Sequence, residues 1–345
     1  MRAGIITGER RLEFLDFADE GPQAGAVRID ISLCGICGTE VASYRNGIPH
    51  SASVCGHEWV GVVSELGAGV TSREVGERVV IAVAPACGSC AECIAGLGDY
   101  CRVVNAMARG KDPLAPMHGG FASSVCVAAD RVVVAHPELS DEQAAVVEPA
   151  AVAFHGVRRS GIELGDLVLV QGAGPIGLLA AQCARAAGAG RVIIVEPSTF
   201  RREVAHDLGV DIAVEPSQAQ EVVMDLSNGR GADVVIESAG AAPLLQVAID
   251  SARQGGTVML LSYISGQTPV NAARIMAKEV TIRSAVAYSH DDFARTMSLI
   301  VDGRIRIEPL HTRTVGLGGL SSALDDLADA RTSDIKILVD PRRSS

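Results

Sequence analysis

Four cysteines stand within fifteen residues: Cys87, Cys90, Cys93 and Cys101, spaced C-x2-C-x2-C-x7-C with Gly88, Ser89 and Gly96 among them. Four thiolates on one short loop match a closed tetrahedral zinc site, which holds together a segment lacking a core of its own. An iron–sulfur cluster is the competing reading of C-x2-C-x2-C, and the lack of a fourth Cys-Pro counts against it. A second set is dispersed: Cys34-Gly35-Ile36-Cys37-Gly38-Thr39-Glu40, then Gly56-His57-Glu58. A C-x-x-C alone reads as a redox pair, and a lone Gly-His-Glu as nothing in particular. Beside a nucleotide site, the two together point to an open zinc position that polarises a substrate oxygen.

That nucleotide site is read from residues 167–177, Leu-Val-Leu-Val-Gln-Gly-Ala-Gly-Pro-Ile-Gly. Four apolar residues in a row fit a strand buried on both faces. Gly172, Gly174 and Gly177, with Pro175 and Ile176 between the last two, then form G-x-G-x-x-G. The first glycine makes the turn, the second lets backbone approach a pyrophosphate, and the third lets helix and strand pack closely. The phosphates sit at the helix N-terminus, where free N–H groups point at them. In a chain with 37 glycines the motif alone is weak. It gains force because a second strand, 191–195, ends at Glu196, about 20 residues on, where an acid accepts from an adenosine ribose. A carboxylate there favours NAD over NADP, since it repels a 2′-phosphate. Arg201 or Arg202 pairs with Glu196, stacks on adenine, or simply opens a solvated helix.

The elements that position these groups divide the chain in two. With 345 residues, 48% of them hydrophobic, it is long enough for two domains with cores and shows no sign of disorder. Residues 1–134 carry short alternating runs at 27–33, 59–66 and 78–83, broken by glycines, and read as β-rich. A helical pattern follows over 140–161, with Ser140 as N-cap. Strands at 167–171, 191–195, 212–214, 233–237, 257–261 and 281–284 then alternate with helices and make a doubly wound parallel sheet. Helices at 291–301 and 320–330 and a strand at 335–339 are placed back on the first domain. A net charge of −11 without a basic stripe argues against nucleic acid. With neither a leader-like start nor an apolar run of membrane length, the expected location is the cytoplasm. Cysteines in that compartment are ligands or buried thiols rather than disulfides.

Gly56-His57-Glu58-x2-Gly61-x5-Gly67-x2-Val70 resembles the signature of the zinc-containing medium-chain alcohol/polyol dehydrogenases. Cys37-Gly38-Thr39, the four-cysteine loop, His118-Gly119-Gly120-Phe121-Ala122, Glu148-Pro149 and the Rossmann segment follow in that family's order. The resemblance implies a GroES-like catalytic domain from 1–150 and 286–345, with a Rossmann NAD-binding domain, 151–285, inserted. It implies Cys37 and His57 as catalytic zinc ligands, with Cys34 a structural thiol. For the third ligand it leaves two choices. Glu148 occupies the matching stretch, as in the sorbitol, threonine and butanediol branches, and Glu58 coordinates directly or supports His57 from behind. By the same resemblance Thr39 passes the alcohol proton outward, and Lys336 sits at a position that reaches the cofactor pyrophosphate. The chain departs from the family pattern at Glu40, where many relatives have Asp, and at Ala42, where a relay histidine often stands. His50 and His155 are the substitutes within the sequence.

The function expected is zinc-dependent hydride transfer between a secondary alcohol or polyol and NAD, with two zinc ions per subunit. A reductase of C=N or activated C=C bonds on the same scaffold is the enzyme alternative, and a non-catalytic nucleotide sensor the other. No membrane or nucleic-acid partner is expected. The apolar strand at 281–284 is expected to pair across a two-fold axis, giving a homodimer or a homotetramer.

Overall fold

The computed structural model describes every residue except 19, 108, 112–113, 265, 331–332 and 344–345. The domain ranges expected from the sequence include these positions, which lie outside the described residues. Two compact units emerge: Met1–Glu148, Ser289–Met297 and His311–Ser345 form one, and Pro149–Tyr288 with Ser298–Leu310 the other. Residues 149–150 and 286–288, expected at the ends of the β-rich domain, group with the second unit, and one longer segment does so too. Residues 298–310, assigned above to the β-rich domain, group with the nucleotide-binding unit. Side-chain exchange explains this: Gln182 Oε1 accepts from Arg306 N, and Gln182 Nε2 donates back to the Arg306 carbonyl.

The first unit is built on a seven-stranded sheet among the described residues. Its long central strand, Ala26–Gly35, pairs antiparallel with Glu58–Leu66 on one side and, at its far end, with the late strand Lys336–Asp340. Alternating Val27, Ile29 and Ile31 point into a core with Trp59, Val63, Val79, Phe121 and Val125. Leu320 and Leu324 of the helix Leu320–Ala328 close that core. The helical stretch expected at 140–161 begins as expected, with Ser140 and Gln143 capping each other through Ser140 Oγ and Gln143 Oε1. It is interrupted at Val146, so that Asp141–Ala145 and Val147–Ser160 are separate helices.

The second unit holds a six-stranded sheet among the described residues, every neighbour parallel. In sheet order the strands are Ile212–Val214, Arg191–Val195, Leu167–Gln171, Ala232–Glu237, Ala252–Leu260 and Thr281–Ser284. The order reverses beside Leu167–Gln171. Ligands of doubly wound sheets bind at such a reversal, outside the carboxyl ends of the strands. Every residue of Leu167–Gln171 is buried, as the unbroken apolar run predicts. Leu169, Ile193, Val235, Ile249 and Val258 share one core.

Candidate metal centres and nucleotide site

The four cysteines form a lobe between Cys87 and Cys101, carried by the single-turn helix Ala91–Ile94 and a 3-10 turn, Gly98–Tyr100. All four sulfurs lie within 4.8 Å of one another. Cys87–Cys93 and Cys90–Cys101 are 3.9 Å apart, and Cys90–Cys93 3.4 Å. A tetrahedral zinc with Zn–S bonds of about 2.3 Å spaces its sulfurs about 3.8 Å apart, so the thiols fit that ion. Backbone N–H groups of Cys87 and Cys90 donate to the sulfurs of Cys101 and Cys87, each at 3.4 Å, which favours the thiolate. Hydrogen bonds from Ser89 draw the Cys87 thiol down to about 6, whereas burial and the neighbouring Cys90 push Cys93 up to about 12. A dication removes the conflict by taking all four as thiolates.

The second centre is assembled from separate elements. Cys37 follows the central strand and caps the helix Gly38–Asn46; His57 and Glu58 open the neighbouring strand. One ligand atom from each of Cys37, His57 and Glu58 lies within 4.8 Å of the others. A thiolate, an imidazole and a carboxylate make a donor set suited to zinc. His57 Nδ1 is 2.9 Å from the Val54 carbonyl. A carbonyl only accepts, so Nδ1 carries the proton and Nε2 is left for a metal. Thr39 Oγ1 donates to Cys37 Sγ at 3.2 Å and is exposed.

Glu40 ties these pieces together, and the sequence showed it only as a departure from pattern. Its carboxylate is wholly buried, accepts from Cys37 N at 2.8 Å and from Gly56 N, and lies 3.3 Å from His57 Nδ1. One side chain therefore fixes the backbone before both ligands. Burial works against its charge, but His57 and the Cys37 N–H outweigh it and hold the carboxyl below its ordinary range. Burial also opposes a charged His57, yet Cys37 and Glu40 raise its pKa well above the usual value. Cys34 is buried, and desolvation followed by Glu40 and Glu58 pushes its thiol far up, as suits a packing residue.

In the other unit, Gly172 turns the chain with φ +96° and Gly174 caps the helix Pro175–Ala187 with no side-chain hydrogen bond. A Cβ at Gly177 would collide with the Gly172 carbonyl, while one at Gly174 would meet nothing within 4 Å. The third glycine thus serves packing, and the second leaves open space before the helix N-terminus, as a pyrophosphate requires. Glu196 is 6% exposed; its Oε2 accepts from Ala173 N at 2.8 Å and its Oε1 from Ser198 N at 2.9 Å. Each oxygen keeps a second lone pair for a ribose hydroxyl. The donor pattern fits a dinucleotide.

Residues 23–138 match the model of the alcohol dehydrogenase GroES-like domain, and residues 175–302 that of the zinc-binding dehydrogenases. The 2-dehydro-3-deoxy-L-galactonate 5-dehydrogenase of Pseudoalteromonas atlantica is 35% identical over 345 residues, covering 99% of this chain and 98% of that one. The chain belongs to the zinc-containing medium-chain dehydrogenases. The crystal structure of 2R,3R-butanediol dehydrogenase from Bacillus subtilis superposes with a TM-score of 0.82 at 30% identity, covering 99% of each chain. A zinc-binding dehydrogenase of Sinorhizobium meliloti bound to NADP gives 0.84 at 29% identity, again over 99% of each.

Within this dehydrogenase, the other residues singled out from sequence have defined surroundings. Lys336, expected at the cofactor pyrophosphate, belongs to the β-rich unit. It is 1% exposed, and Nζ donates to Glu58 Oε2 and, at 2.9 Å, to the Ile36 carbonyl. Burial opposes its charge, but Glu58, Cys37 and Glu40 raise its pKa. Glu148 is half-buried in the first turn of Val147–Ser160 and belongs to none of the clustered ligand groups. Arg202, one of two arginines considered for Glu196 or adenine, donates to the Glu196 and Pro197 carbonyls and to Glu215. Arg201 is half-buried at the start of the same helix, its N–H turned to Ser198 Oγ. His50 comes to 6.4 Å from the His57 ring, centroid to centroid, whereas His155 belongs to the nucleotide-binding unit.

Proposed function

We propose that this dehydrogenase is NAD-linked, acts on secondary alcohols or polyols, and holds two zinc ions per subunit. The observation that carries the reading is the exposed Thr39 hydroxyl set on Cys37 Sγ, within a thiolate–imidazole–carboxylate cluster. When bound, zinc supplies Lewis acidity that lowers the pKa of a substrate hydroxyl, and NAD supplies the hydride acceptor. Cys37 and His57 hold the metal, with Glu58 or Glu148 as the remaining protein donor. Thr39 takes the hydroxyl proton and passes one to solvent, while the hydride leaves the carbinol carbon with its electron pair. Glu196 orients the ribose and disfavours a 2′-phosphate. The nine cysteines are all free, which fits a reducing cytoplasm, and no helix among the described residues is long and apolar enough to cross a membrane.

The test is NADH formation over a panel of diols, polyols, amino alcohols and sugar acids, with and without chelator. Turnover of some secondary alcohol, lost with the metal, is expected. Reduction of an activated C=C or C=N bond that survives zinc removal would replace this reading with the reductase one. NAD is expected to be preferred over NADP, and Glu196→Ala to relax that preference about tenfold or more, the worth of a charge-assisted hydrogen bond. Equal kcat/KM for both cofactors in the unmodified enzyme would overturn the assignment.

The outermost strand, Thr281–Ser284, is exposed at all four residues and pairs on one side with Ala252–Leu260. Ile282 on it is 37% exposed. An open edge of this kind supports pairing with a second copy, giving a homodimer or a tetramer of such dimers. Ile282→Lys is expected to yield monomers in sedimentation; a variant that sediments like its parent places the seam elsewhere.

A further inference from the structure

In the nucleotide-binding unit a second turn is fastened to the glycine turn. The strand Ala232–Glu237 runs parallel to Leu167–Gln171 with Glu237 in register with Gln171, so both chains turn at the same end of the sheet. Ser238 joins the two turns. Its N–H donates to the Gln171 carbonyl at 3.1 Å and its Oγ to the same carbonyl at 2.7 Å, with the Gly172 carbonyl 3.5 Å away. The approach is close: a Cβ on Gly177 would lie 2.7 Å from Ser238 Oγ, and one on Gly172 would lie 3.1 Å from the Ala239 Cβ. Behind Ser238 the loop has its own anchor. Glu237 is 0% exposed; its Oε1 accepts from Ala239 N at 2.9 Å and Gly240 N at 2.8 Å, and its Oε2 from Ser262 Oγ. An apolar side chain would fill that place without burying a charge, but it would leave both loop N–H groups unbonded.

We propose that Ser238 and Glu237 are positioning residues for the dinucleotide: Ser238 pins the Gln171–Gly172 end of the phosphate turn, and Glu237 holds the loop that carries Ser238. Two arguments carry this. The first is that the turn is tied on both flanks. On one side Gly172 N donates to the Val195 carbonyl and Ala173 N to Glu196 Oε2. On the other side Ser238 supplies the matching tie, from the strand across the reversal in sheet order. The second is economy of donors. Glu237 takes up the N–H groups of Ala239 and Gly240, so the loop stands fixed beside the turn before any ligand arrives. A turn ordered in advance spares the dinucleotide that ordering, and the gain shows as affinity.

The inference rests on the dinucleotide reading of the glycine motif and needs neither metal nor alcohol. Its test is direct titration of the full-length protein with NADH and with ADP-ribose, which keeps the pyrophosphate and lacks the nicotinamide. Ser238→Ala should weaken both ligands about 3- to 10-fold, the worth of one hydrogen bond. Glu237→Ala should act in the same direction and more strongly. Glu237→Gln keeps an acceptor of the same shape and should stay closer to the parent. A purely structural role would lower the melting temperature of the ligand-free protein and leave the affinity of the folded fraction parental. Parental NADH affinity in folded Ser238→Ala therefore overturns the proposal. A loss confined to NADH also overturns it, because the effect would then lie at the nicotinamide end. A parent that binds NADPH in preference to NADH overturns the proposed NAD linkage and leaves this inference standing, with NADPH as the titrant.

Discussion

The four-cysteine lobe and the Cys37 centre belong to one unit but are built in opposite ways. The lobe takes all its sulfurs from residues 87–101, held by turns and backbone N–H groups of that same segment. The Cys37 centre draws on Cys37, Glu40, His57, Glu58 and Lys336, contributed by a helix and two strands that meet through the central sheet. On the two-zinc reading proposed above, a metal would supply the order in the lobe. In the Cys37 centre the fold supplies it, through Glu40 and the Glu58–Lys336 pair. The difference teaches where an open coordination position can be maintained: on a rigid sheet whose ligands are held by protein contacts, not on a loop that closes around its ion.

Three experiments would break or sharpen that contrast. Cys37→Ala removes a ligand from the fold-ordered centre and is expected to lower kcat about 10³-fold or more, the scale of several kcal/mol of Lewis-acid assistance. Metal analysis should then find the lobe zinc still bound; loss of both ions would show that the centres are not independent. Glu40→Gln leaves every ligand in place and removes the charge that steadies them. It should weaken the catalytic metal about 10- to 100-fold, read as faster extraction by a mild chelator. An unchanged extraction rate would mean that the helix and sheet alone fix Cys37 and His57. Cys90→Ser should have the smallest effect on turnover, within a few-fold, while opening the lobe to proteases between 87 and 107. A drop in kcat matching that of Cys37→Ala would erase the distinction.

What could be read from sequence follows the same divide. The lobe was legible because its ligands are close together along the chain. The G-x-G-x-x-G turn and Glu196 were legible for a similar reason, since one strand–helix–strand unit contains them all. Cys37 and His57 pointed to an open zinc position only in combination with the nucleotide motif, and family resemblance made them its ligands, because they stand on separate elements that the central strand brings together. Lys336 was placed at the pyrophosphate, and its contact with Glu58 was invisible across the 278 residues that separate them. Glu40 carried a signal in hindsight: three residues after Cys37, at the start of a helix, an acid is in reach of its backbone N–H. The grouping of 298–310 with the nucleotide-binding unit depends on Gln182 and Arg306, a reciprocal pairing that no local pattern announces.

The pairing of Lys336–Asp340 with the central strand also sets an order of events during synthesis. The lobe has every sulfur it needs once residue 101 has left the ribosome, so that on the proposed two-zinc reading it would be able to take up its ion while the chain is still growing. Glu58 has to wait for its lysine until the whole nucleotide-binding unit, to residue 310, has been made and the last strand has added beside Gly35. A truncated product that stops short of residue 336 would therefore carry a complete lobe, yet Glu58 would stand without its counter-charge.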